Sequence, residues 1–385
     1  MKELSQHTKL PQSGIRRMFD LAKGRPGVVS FVLGEPDFVT PRHIIESAKA
    51  KLDEGRTHYT DNAGILPLRE AVSESLERLD RVKYDPTDEI QVTVGGMQGV
   101  YLAMLVLLNP GDEVLIADPS YTNYVGQVEM NYGKAVPVPV YQEDGFNFTE
   151  KALREKLTPK TKAILLNSPC NPTGGVAGLD TLKMVADFAC ENDLYVVYDA
   201  VYKRLIYDGA EYVNVASLPG MRGRTIYVDS FSKTYAMTGW RLGYMAGPSE
   251  IISLIPKLQE NVASCLPEFI QWAGIEALRN GDGDVERMNA EYAKRRDLLM
   301  SMIDDTPNVS CVRPKGAFYA FVNVKKTGMS SVEFAEMLLE KKGVVVAPGS
   351  AFGRACEGFV RISYATSIEN VTEGMSRIQE FIKGL

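Results

Sequence analysis

The chain has 385 residues, a formal net charge of −6, 45% hydrophobic residues and 24% charged residues. This length allows a large domain and a smaller one, and the composition is typical of a soluble globular protein. The negative charge argues against a nucleic-acid or anionic-membrane surface. The longest apolar run, Val100 to Leu108, is far too short to span a bilayer, so we expect no membrane partner.

Targeting and cysteine signals favour a cytoplasmic protein. The N-terminal stretch MKELSQHTKLPQSG is polar and lacks the apolar region of a secretory signal peptide. The five cysteines are scattered without a CxxC pair, which is typical of thiols that stay reduced. The three histidines are widely spaced and give no basis for a histidine metal site. We therefore expect a cytoplasmic metabolic protein without a metal.

The N-terminal segment reads as a polar arm with a helical pattern from Ile15 to Ala22. A short strand is predicted within Val28 to Phe38, and the chain has to turn at Gly34 to Pro36. Thr40 and Pro41 then predict a helix start, with the threonine as N-cap and the proline in the first helical position.

The central part of the chain alternates short apolar runs with helical segments. Several of these runs are apolar throughout, as in strands that helices cover on both faces. We therefore predict an α/β fold whose mostly parallel seven-stranded sheet is flanked by helices. The predicted strands are Ile90–Val94, Glu113–Ala117, Ala135–Val140, Ala163–Asn167, Leu194–Asp199, Thr225–Asp229 and Arg241–Gly247.

The C-terminal part predicts a smaller α+β domain. After a long helical stretch, Ser249 to Met302, strands and helices alternate over a shorter length. We expect three regions: residues 1–45 as an N-terminal arm and part of the small domain, 46–285 as the large domain, and 286–385 as the C-terminal small domain.

The glycine-rich run Gly95-Gly96-Met97-Gln98 follows the first strand of the sheet and opens an apolar helix. Glycines at this point let the backbone approach a ligand, and free N–H groups at a helix start favour a phosphate. An ordinary tight turn is the alternative, and the spacing is not that of the GxGxxG dinucleotide motif.

Two further strand ends carry polar groups. The loop from Asn167 to Gly175 contains the tetrapeptide NPTG at a carboxyl edge, where ligands of open α/β sheets bind. Asp199 ends an apolar strand, and Tyr202 follows three residues later. A buried carboxylate there implies a cationic partner, whereas a helix cap is the structural alternative.

The stretch DSFSKTYAMTGWRLGY places Lys233 at the end of another apolar strand, near Ser230, Ser232 and Arg241. An apolar wall lets an amine be neutral part of the time, and hydroxyls with a guanidinium can hold a phosphate beside it. A solvated surface lysine is the alternative. Arg361 lies in the middle of a later apolar strand, so it needs an anion or a structural ion pair.

This stretch and the NPTG loop closely resemble the signatures of pyridoxal-phosphate (PLP) aminotransferases of fold type I, in the aspartate/aromatic aminotransferase group. The resemblance covers residues 15–385. It implies that Lys233 forms the Schiff base with the cofactor, that Asp199 pairs with the protonated pyridine nitrogen, and that Tyr202 and Asn171 contact the phenolic oxygen. Lys233, Asp199 and Tyr202 are therefore the expected catalytic residues. The other implied cofactor-binding residues are Gly95, Gly96, Met97, Gln98, Tyr121, Ser230, Ser232 and Arg241.

The resemblance also implies a substrate site and a homodimer with shared active sites. Arg361 would grip the substrate α-carboxylate, with Gly34 and Asn171 beside the substrate. Tyr59 matches a tyrosine that reaches the phosphate bound in the neighbouring subunit. The implied reaction transfers the amino group of an L-amino acid to a 2-oxoacid, 2-oxoglutarate being the expected acceptor, in two half-reactions on one cofactor.

Other readings remain open on the sequence alone. The nearest is another fold type I PLP enzyme, such as a carbon–sulfur β-lyase, a decarboxylase or a cyclopropane-forming synthase. A regulatory module fused to a DNA-binding domain is disfavoured, because the sequence shows no upstream helix-turn-helix segment or basic stretch.

For the substrate, some related aspartate aminotransferases carry a lysine at the position of Met97. The apolar methionine predicts a preference for neutral, aromatic or large aliphatic amino acids, with Arg16 or Arg17 as candidates for holding a distal carboxylate.

Overall fold

The computed structural model describes residues 2–10 and 14–385, and its fold is built around β-strands. In chain order the strands are β1 (Val29–Ser30), β2 (Ile90–Thr93), β3 (Glu113–Asp118), β4 (Lys134–Pro139), β5 (Thr161–Asn167), β6 (Tyr195–Asp199), β7 (Thr225–Ser230), β8 (Gly243–Ala246), β9 (Ser310–Cys311), β10 (Tyr319–Asn323), β11 (Val344–Val345), β12 (Ala347–Pro348) and β13 (Phe359–Ser363).

Helices connect and cover these strands. In chain order they are α1 (Gly14–Ala22), α2 (Arg42–Asp53), α3 (Leu66–Asp80), α4 (Gly95–Leu107), α5 (Asn123–Met130), α6 (Glu150–Lys156), α7 (Leu179–Glu191), α8 (Phe231–Thr234), α9 (Ser249–Ile252), α10 (Ile255–Val262), α11 (Glu268–Asn280), α12 (Asp282–Asp304), α13 (Ser331–Lys342) and α14 (Ile368–Lys383).

The large sheet has the strand order β2-β8-β7-β6-β5-β3-β4 across the described chain. Strand β8 runs antiparallel to both of its neighbours, and the other pairs are parallel. The carboxyl ends of β2, β3, β5, β6 and β7 consequently open on the same edge of the sheet, where α/β folds bind ligands. The predicted α/β fold with a mostly parallel seven-stranded sheet is confirmed.

The smaller sheet, of order β12-β13-β10-β9 in the described residues, is antiparallel. The N-terminal segment lies beside it: β1 pairs in parallel with β11 as a separate two-stranded sheet, and Ser363 N–H of β13 donates to the Phe31 carbonyl at 2.9 Å. Met18 of α1 is buried in the same core. This end of the chain is therefore anchored on the C-terminal part.

Hydrophobic packing covers both faces of the large sheet. Successive residues of β6, Val196 and Val197, enter two different hydrophobic clusters, one on each face, as strand geometry requires. A further cluster surrounds the small sheet. Helix α12 passes from one core to another, since Val285 packs with the large-sheet core and Met288 with the small-sheet core. The domain limits at residues 45 and 285 stay a prediction.

Three local expectations differ from the structure. Thr40 does not cap α2; its hydroxyl instead donates to the Ala236 carbonyl at 2.6 Å, and the helix begins at Arg42. The strand predicted from Arg241 begins two residues later, because Arg241 has the left-handed backbone conformation, φ 54°. The predicted long helical stretch is divided into α9, α10, α11 and α12.

Within residues 2–10 and 14–385, no helix combines the length and the apolar character needed to cross a membrane.

Candidate active site

A cavity of about 440 Å³ lies at the carboxyl edge of the large sheet, where the small sheet and α1 approach it. Most of the predicted site residues meet here. Those that line the cavity are Gly34, Gly96, Met97, Tyr121, Asn171, Asp199, Tyr202, Ser230, Ser232, Lys233, Arg241 and Arg361.

Lys233 lies in α8, the single helical turn that follows β7. Its amine donates a hydrogen bond to the backbone carbonyl of Gly34. Burial lowers the pKa of Lys233 to about 8, even though Glu35 acts in the opposite direction. A substantial fraction of this amine is therefore neutral at physiological pH, as a nucleophile or proton acceptor has to be.

Asp199 ends β6 and is 6% exposed. Its Oδ2 accepts a hydrogen bond of 2.6 Å from the Tyr124 hydroxyl, and its Oδ1 accepts one of 3.1 Å from Val201 N–H. Burial raises the pKa of Asp199 to about 6, with the Tyr124 hydrogen bond opposing the rise. No lysine or arginine of the described residues forms an ion pair with it. This carboxylate is therefore able to form an ion pair with a cationic group of a ligand.

The glycine run and the residues around Lys233 form a small cradle. The ideal position of a Cβ on Gly95, which has φ +71°, would lie 2.7 Å from Arg241 Nη2. Ser230 Oγ donates to Ser232 Oγ at 2.9 Å, while Ser232 N–H donates to Ser230 Oγ at 3.1 Å. Arg241 is exposed, and its Nη1 donates to the Thr238 carbonyl at 2.8 Å. Two hydroxyls and a guanidinium thus face a helix start, which suits a phosphate.

Arg361 occupies the middle of β13 and is 1% exposed. Its Nη1 donates to Asn171 Oδ1 at 2.9 Å, and its Nη2 donates to the Val32 carbonyl. The buried Nε has no hydrogen-bond partner within the described chain, and no carboxylate there pairs with the guanidinium. Burial lowers the pKa of Arg361. The structural ion pair that was one alternative for Arg361 is therefore absent from the described residues, and the guanidinium is available for an anionic ligand.

Aromatic groups complete the cavity. Tyr202 and Tyr319 exchange a hydroxyl–hydroxyl hydrogen bond of 2.8 Å. The Arg361 guanidinium lies 4.4 Å from the Tyr319 ring centre. Tyr121 packs edge-on against Tyr124, with ring centres 5.4 Å apart, and burial raises its pKa to about 12. A flat ring system could therefore be enclosed between Tyr121 and the opposite wall.

Three predicted residues lie outside the cavity lining. Gly95 lies behind the guanidinium of Arg241, and Gln98 uses its Oε1 to accept a 2.7 Å hydrogen bond from Val94 N–H at the start of α4. Tyr59 lies on the surface, 91% exposed, and does not contribute to the cavity of its own chain.

Two residues that the sequence did not single out belong to the site. Tyr124 holds Asp199, and Tyr319 holds Tyr202 while its hydroxyl occupies the space into which a Gly34 side chain would extend. Tyr319 comes from β10, far along the chain, so no local pattern marks it. For Tyr124 the available signal was its position three residues after Tyr121, at the start of a helix.

The site's unmatched groups fit PLP. Asp199 has no cationic partner in the described part of the chain, and a protonated pyridine nitrogen would supply one. The cradle of Ser230, Ser232 and Arg241 likewise contains no carboxylate from the described residues, and the cofactor's phosphate would supply the anion. Lys233, whose amine reacts with an aldehyde only when neutral, lies in the same cavity. Fold and donor set together indicate the fold type I class of PLP enzymes.

Within that class, the chain belongs to the aminotransferase class I and II family, whose model matches residues 26–378. The aspartate aminotransferase of Pyrococcus abyssi is 46% identical over 373 residues, which cover 96% of both chains. The aromatic-amino-acid aminotransferase 2 of Thermococcus litoralis is 45% identical over 373 residues, again 96% of both chains.

A solved structure agrees with these sequences. The aspartate aminotransferase of Thermus thermophilus, with maleate, superposes with a TM-score of 0.93 at 36% identity, over 99% of this chain and 100% of the other. The protein is thus an enzyme that transfers amino groups, as the resemblance implied. The carbon–sulfur β-lyase alternative is not favoured.

Proposed function

We propose that the enzyme transfers the amino group of a neutral L-amino acid to 2-oxoglutarate through PLP held in the cavity. The observation that carries this proposal is the arrangement of Lys233, Asp199 and Arg361 around one cavity. Each has its charge or pKa perturbed by burial, and neither Asp199 nor Arg361 has an oppositely charged partner among the described residues.

Bound PLP supplies an electron sink for the negative charge that develops at the substrate Cα. Asp199, with a pKa of about 6, is mostly ionised at pH 7 and stabilises a positive charge on the ring nitrogen. Asn171 and Tyr202 offer hydrogen bonds to the ring's phenolic oxygen. Ser230, Ser232 and Arg241 bind the phosphate.

Lys233 moves the proton in this proposal. Its pKa of about 8 lies close to physiological pH, which is favourable for a group that both accepts and donates a proton. Arg361 binds the substrate α-carboxylate and fixes the direction of the Cα–H bond toward the Lys233 amine. The Nε of Arg361, which has no hydrogen-bond partner among the described residues, supports this role, because a bidentate carboxylate would satisfy it.

The substrate side chain meets a largely apolar wall. Ile15, Phe19, Leu33 and Met97 line the cavity, which favours aromatic or large aliphatic side chains over an unpaired distal carboxylate. The relatives do not decide the matter, because one named for aspartate and one named for aromatic amino acids are about equally similar to this chain.

A candidate cation for the distal carboxylate of 2-oxoglutarate lies at the cavity. Arg16 lines the cavity, and within residues 2–10 and 14–385 its one ion pair is to Asp20 of the same helix, at 3.1 Å, with both side chains exposed. Arg17 instead pairs with Glu336 of α13 and does not line the cavity. An exposed i,i+4 ion pair contributes little stability, so Arg16 could exchange Asp20 for a substrate carboxylate at small cost. We therefore choose Arg16 of the two candidates.

A homodimer with shared sites is part of the proposal. The support is the 91% exposure of Tyr59, a residue that the family resemblance brings to the neighbouring subunit's phosphate. Val39 and Leu66, which are 81% and 42% exposed, are further apolar groups that a second subunit could cover.

The division into residues 1–45, 46–285 and 286–385, and the cytoplasmic location, are also proposals. They rest on the element pattern and on the absence of cysteine pairs in the sequence.

The test is absorbance spectroscopy of the purified, PLP-loaded enzyme. A neutral amino acid should convert the cofactor band to that of its aminated form, and a 2-oxoacid should restore the original band. Transamination requires this reversibility. Elimination or decarboxylation would instead release ammonia with pyruvate, or carbon dioxide, and either result would contradict the proposal.

A further inference from the structure

Three buried charges form a cluster directly behind the cavity wall. Lys203 lies in the turn after β6, Asp80 is the last residue of α3, and Asp229 lies in β7. The Lys203 amine lies 3.0 Å from Asp80 Oδ1 and 3.4 Å from Asp229 Oδ2. The three side chains are 5%, 1% and 6% exposed, respectively. Charges this deeply buried persist only when they are paired and hydrogen-bonded.

Neutral donors complete the cluster. Asn214 Nδ2 donates to Asp80 Oδ2 at 3.2 Å. Asp229 Oδ2 accepts a 2.8 Å hydrogen bond from Tyr244 and a 3.3 Å one from Tyr227, and its Oδ1 accepts a 2.6 Å hydrogen bond from Ser230 N–H. Among the described residues, Lys203 provides the one cationic partner for both carboxylates.

The cluster joins the two segments that carry the proposed cofactor contacts. Lys203 directly follows Tyr202, whose side chain lines the cavity. Asp229 directly precedes Ser230, and its carboxylate holds the Ser230 N–H. The ion pair between Lys203 and Asp229 therefore ties the turn after β6 to the segment Ser230–Lys233, from the side opposite the cavity.

Removing the lysine amine would leave two carboxylates in an interior without a cation. Burial raises the pKa of Asp229, and Lys203 is the largest influence that lowers it. Without this cation, protonation or displacement of Asp229 becomes favourable, and either change alters the acceptor that fixes Ser230 N–H.

We propose that Lys203 is a positioning residue for the cofactor: by pairing with Asp229 and Asp80 it holds Ser230–Lys233 in register with the turn that carries Tyr202. The inference rests on the proposed PLP site, since it assigns a support for that site. Lys203 does not line the cavity, so it would not contact a ligand bound there.

The experiment measures the PLP dissociation constant of the apoenzyme by equilibrium dialysis, together with the thermal midpoint. For Lys203→Met we expect PLP to bind at least tenfold more weakly, about 1.4 kcal/mol. Arg204→Gln is the matched control, because Arg204 is the next cation of the same turn and pairs with Asp282 outside the cluster. It should bind PLP within threefold of the wild type.

The double variant Lys203→Met/Asp80→Asn separates the ion pair from net charge. It restores the cluster's original net charge, but Asp229 keeps only its bonds from Ser230, Tyr227 and Tyr244 and has no cationic partner. PLP affinity should therefore stay at least tenfold below that of the wild type. Recovery to within threefold of the wild type would show that net charge alone matters, and that result would overturn the proposal.

A second pair of variants makes the test independent of whether Lys203→Met folds. Asp229→Asn, which alters the carboxylate that holds the cofactor segment, should weaken PLP binding at least tenfold. Asp80→Asn, which leaves Asp229 paired with Lys203, should stay within threefold. Equal effects would overturn the proposal. If the wild type itself fails to bind PLP, the proposed function fails instead, so the two failures are distinguishable.

Discussion

The Tyr124 hydroxyl donates a hydrogen bond of 2.6 Å to Oδ2 of Asp199, linking the first turn of α5 to the end of β6. Both residues are buried. Burial raises the pKa of Asp199 to about 6, and this hydrogen bond is the largest influence that lowers it. Tyr124 therefore helps to keep Asp199 ionised near neutral pH.

Replacing Tyr124 with phenylalanine should raise the pKa of Asp199 further, because the hydrogen bond favours the ionised form. A hydrogen bond to a charged group contributes roughly 1.5–3 kcal/mol, so the acid limb of kcat/KM should move upward by about one pH unit. The measurement is kcat/KM from pH 5 to 9. Tyr141→Phe, at a tyrosine 53% exposed, is the control and should keep the wild-type profile. An unchanged acid limb in Tyr124→Phe would contradict this role.

Mixing two inactive or weakened parents tests the shared active site. Lys233→Ala removes the proposed proton carrier, and Tyr59→Phe removes the hydroxyl proposed to reach the neighbouring subunit's phosphate. A hybrid dimer would contain one site with both wild-type residues. The mixture should therefore exceed the mean activity of its parents, with sedimentation confirming dimers. Activity equal to that mean, or an active monomer, would exclude sites completed across an interface.

The side-chain preference can be tested at Met97. Its Sδ lies 2.9 Å from Gln127 Nε2, so the side chain is held against α5 at the cavity wall. Wild type should favour tyrosine, phenylalanine or leucine over aspartate in kcat/KM, and Met97→Lys should shift the ratio toward aspartate at least tenfold. Tenfold corresponds to about 1.4 kcal/mol of transition-state discrimination. A wild type that already prefers aspartate tenfold would falsify the preference.

The two neighbouring arginines of α1 provide a matched pair. Arg16→Gln should lower kcat/KM for 2-oxoglutarate by roughly tenfold or more, because the distal carboxylate loses its cation, while kcat/KM for pyruvate should change little. Arg17→Gln removes the same charge outside the cavity and should leave both values within threefold. If both variants lower kcat/KM for 2-oxoglutarate equally, the loss of any positive charge from α1 explains the effect, and the assignment to Arg16 is wrong.

His43 makes the stability of one helix junction dependent on pH. Its Nδ1 lies 2.6 Å from Glu276 of α11, and its Nε2 lies 2.9 Å from Asp284 of α12. Burial lowers the pKa of His43, but the bonds to Asp284 and Glu276 outweigh it and raise the pKa above 6.5. This contribution is therefore complete below pH 6.5 and is lost as the pH rises through the raised value.

Comparison of thermal midpoints checks this dependence. The difference between wild type and His43→Gln should be largest near pH 6 and should shrink toward pH 8.5. His58→Gln, which removes an exposed histidine, is the control and should show no such trend. A constant difference across this range would mean that the imidazolium charge does not matter.

The sequence was most informative where a pattern is local. Several strands of the large sheet are buried on both faces and therefore apolar, as in β6 and most of β7, which makes them recognisable from the sequence. The parallel strands also bring the polar residues at their carboxyl ends, such as Asn167 and Asp199, to the same edge. Thr40 was misassigned because its hydroxyl bonds to a carbonyl 196 residues away, which a capping pattern cannot reveal. Tyr319 and the cluster of Lys203, Asp80 and Asp229 were missed for the same reason: their partners are distant in sequence.

Burial of Arg361 should make the stability of the fold depend on bound substrate. The chain encloses a permanent positive charge in the small sheet and supplies neutral oxygens from Asn171 and Val32, but no negative one from the described residues. The folded protein therefore contains a buried positive charge without an ion-pair partner among the described residues, and the carboxylate of a bound substrate would supply that partner. Substrate and product both carry that carboxylate, so each should stabilise the native state when bound. The free energy of unfolding should therefore be highest while the active site is occupied during turnover.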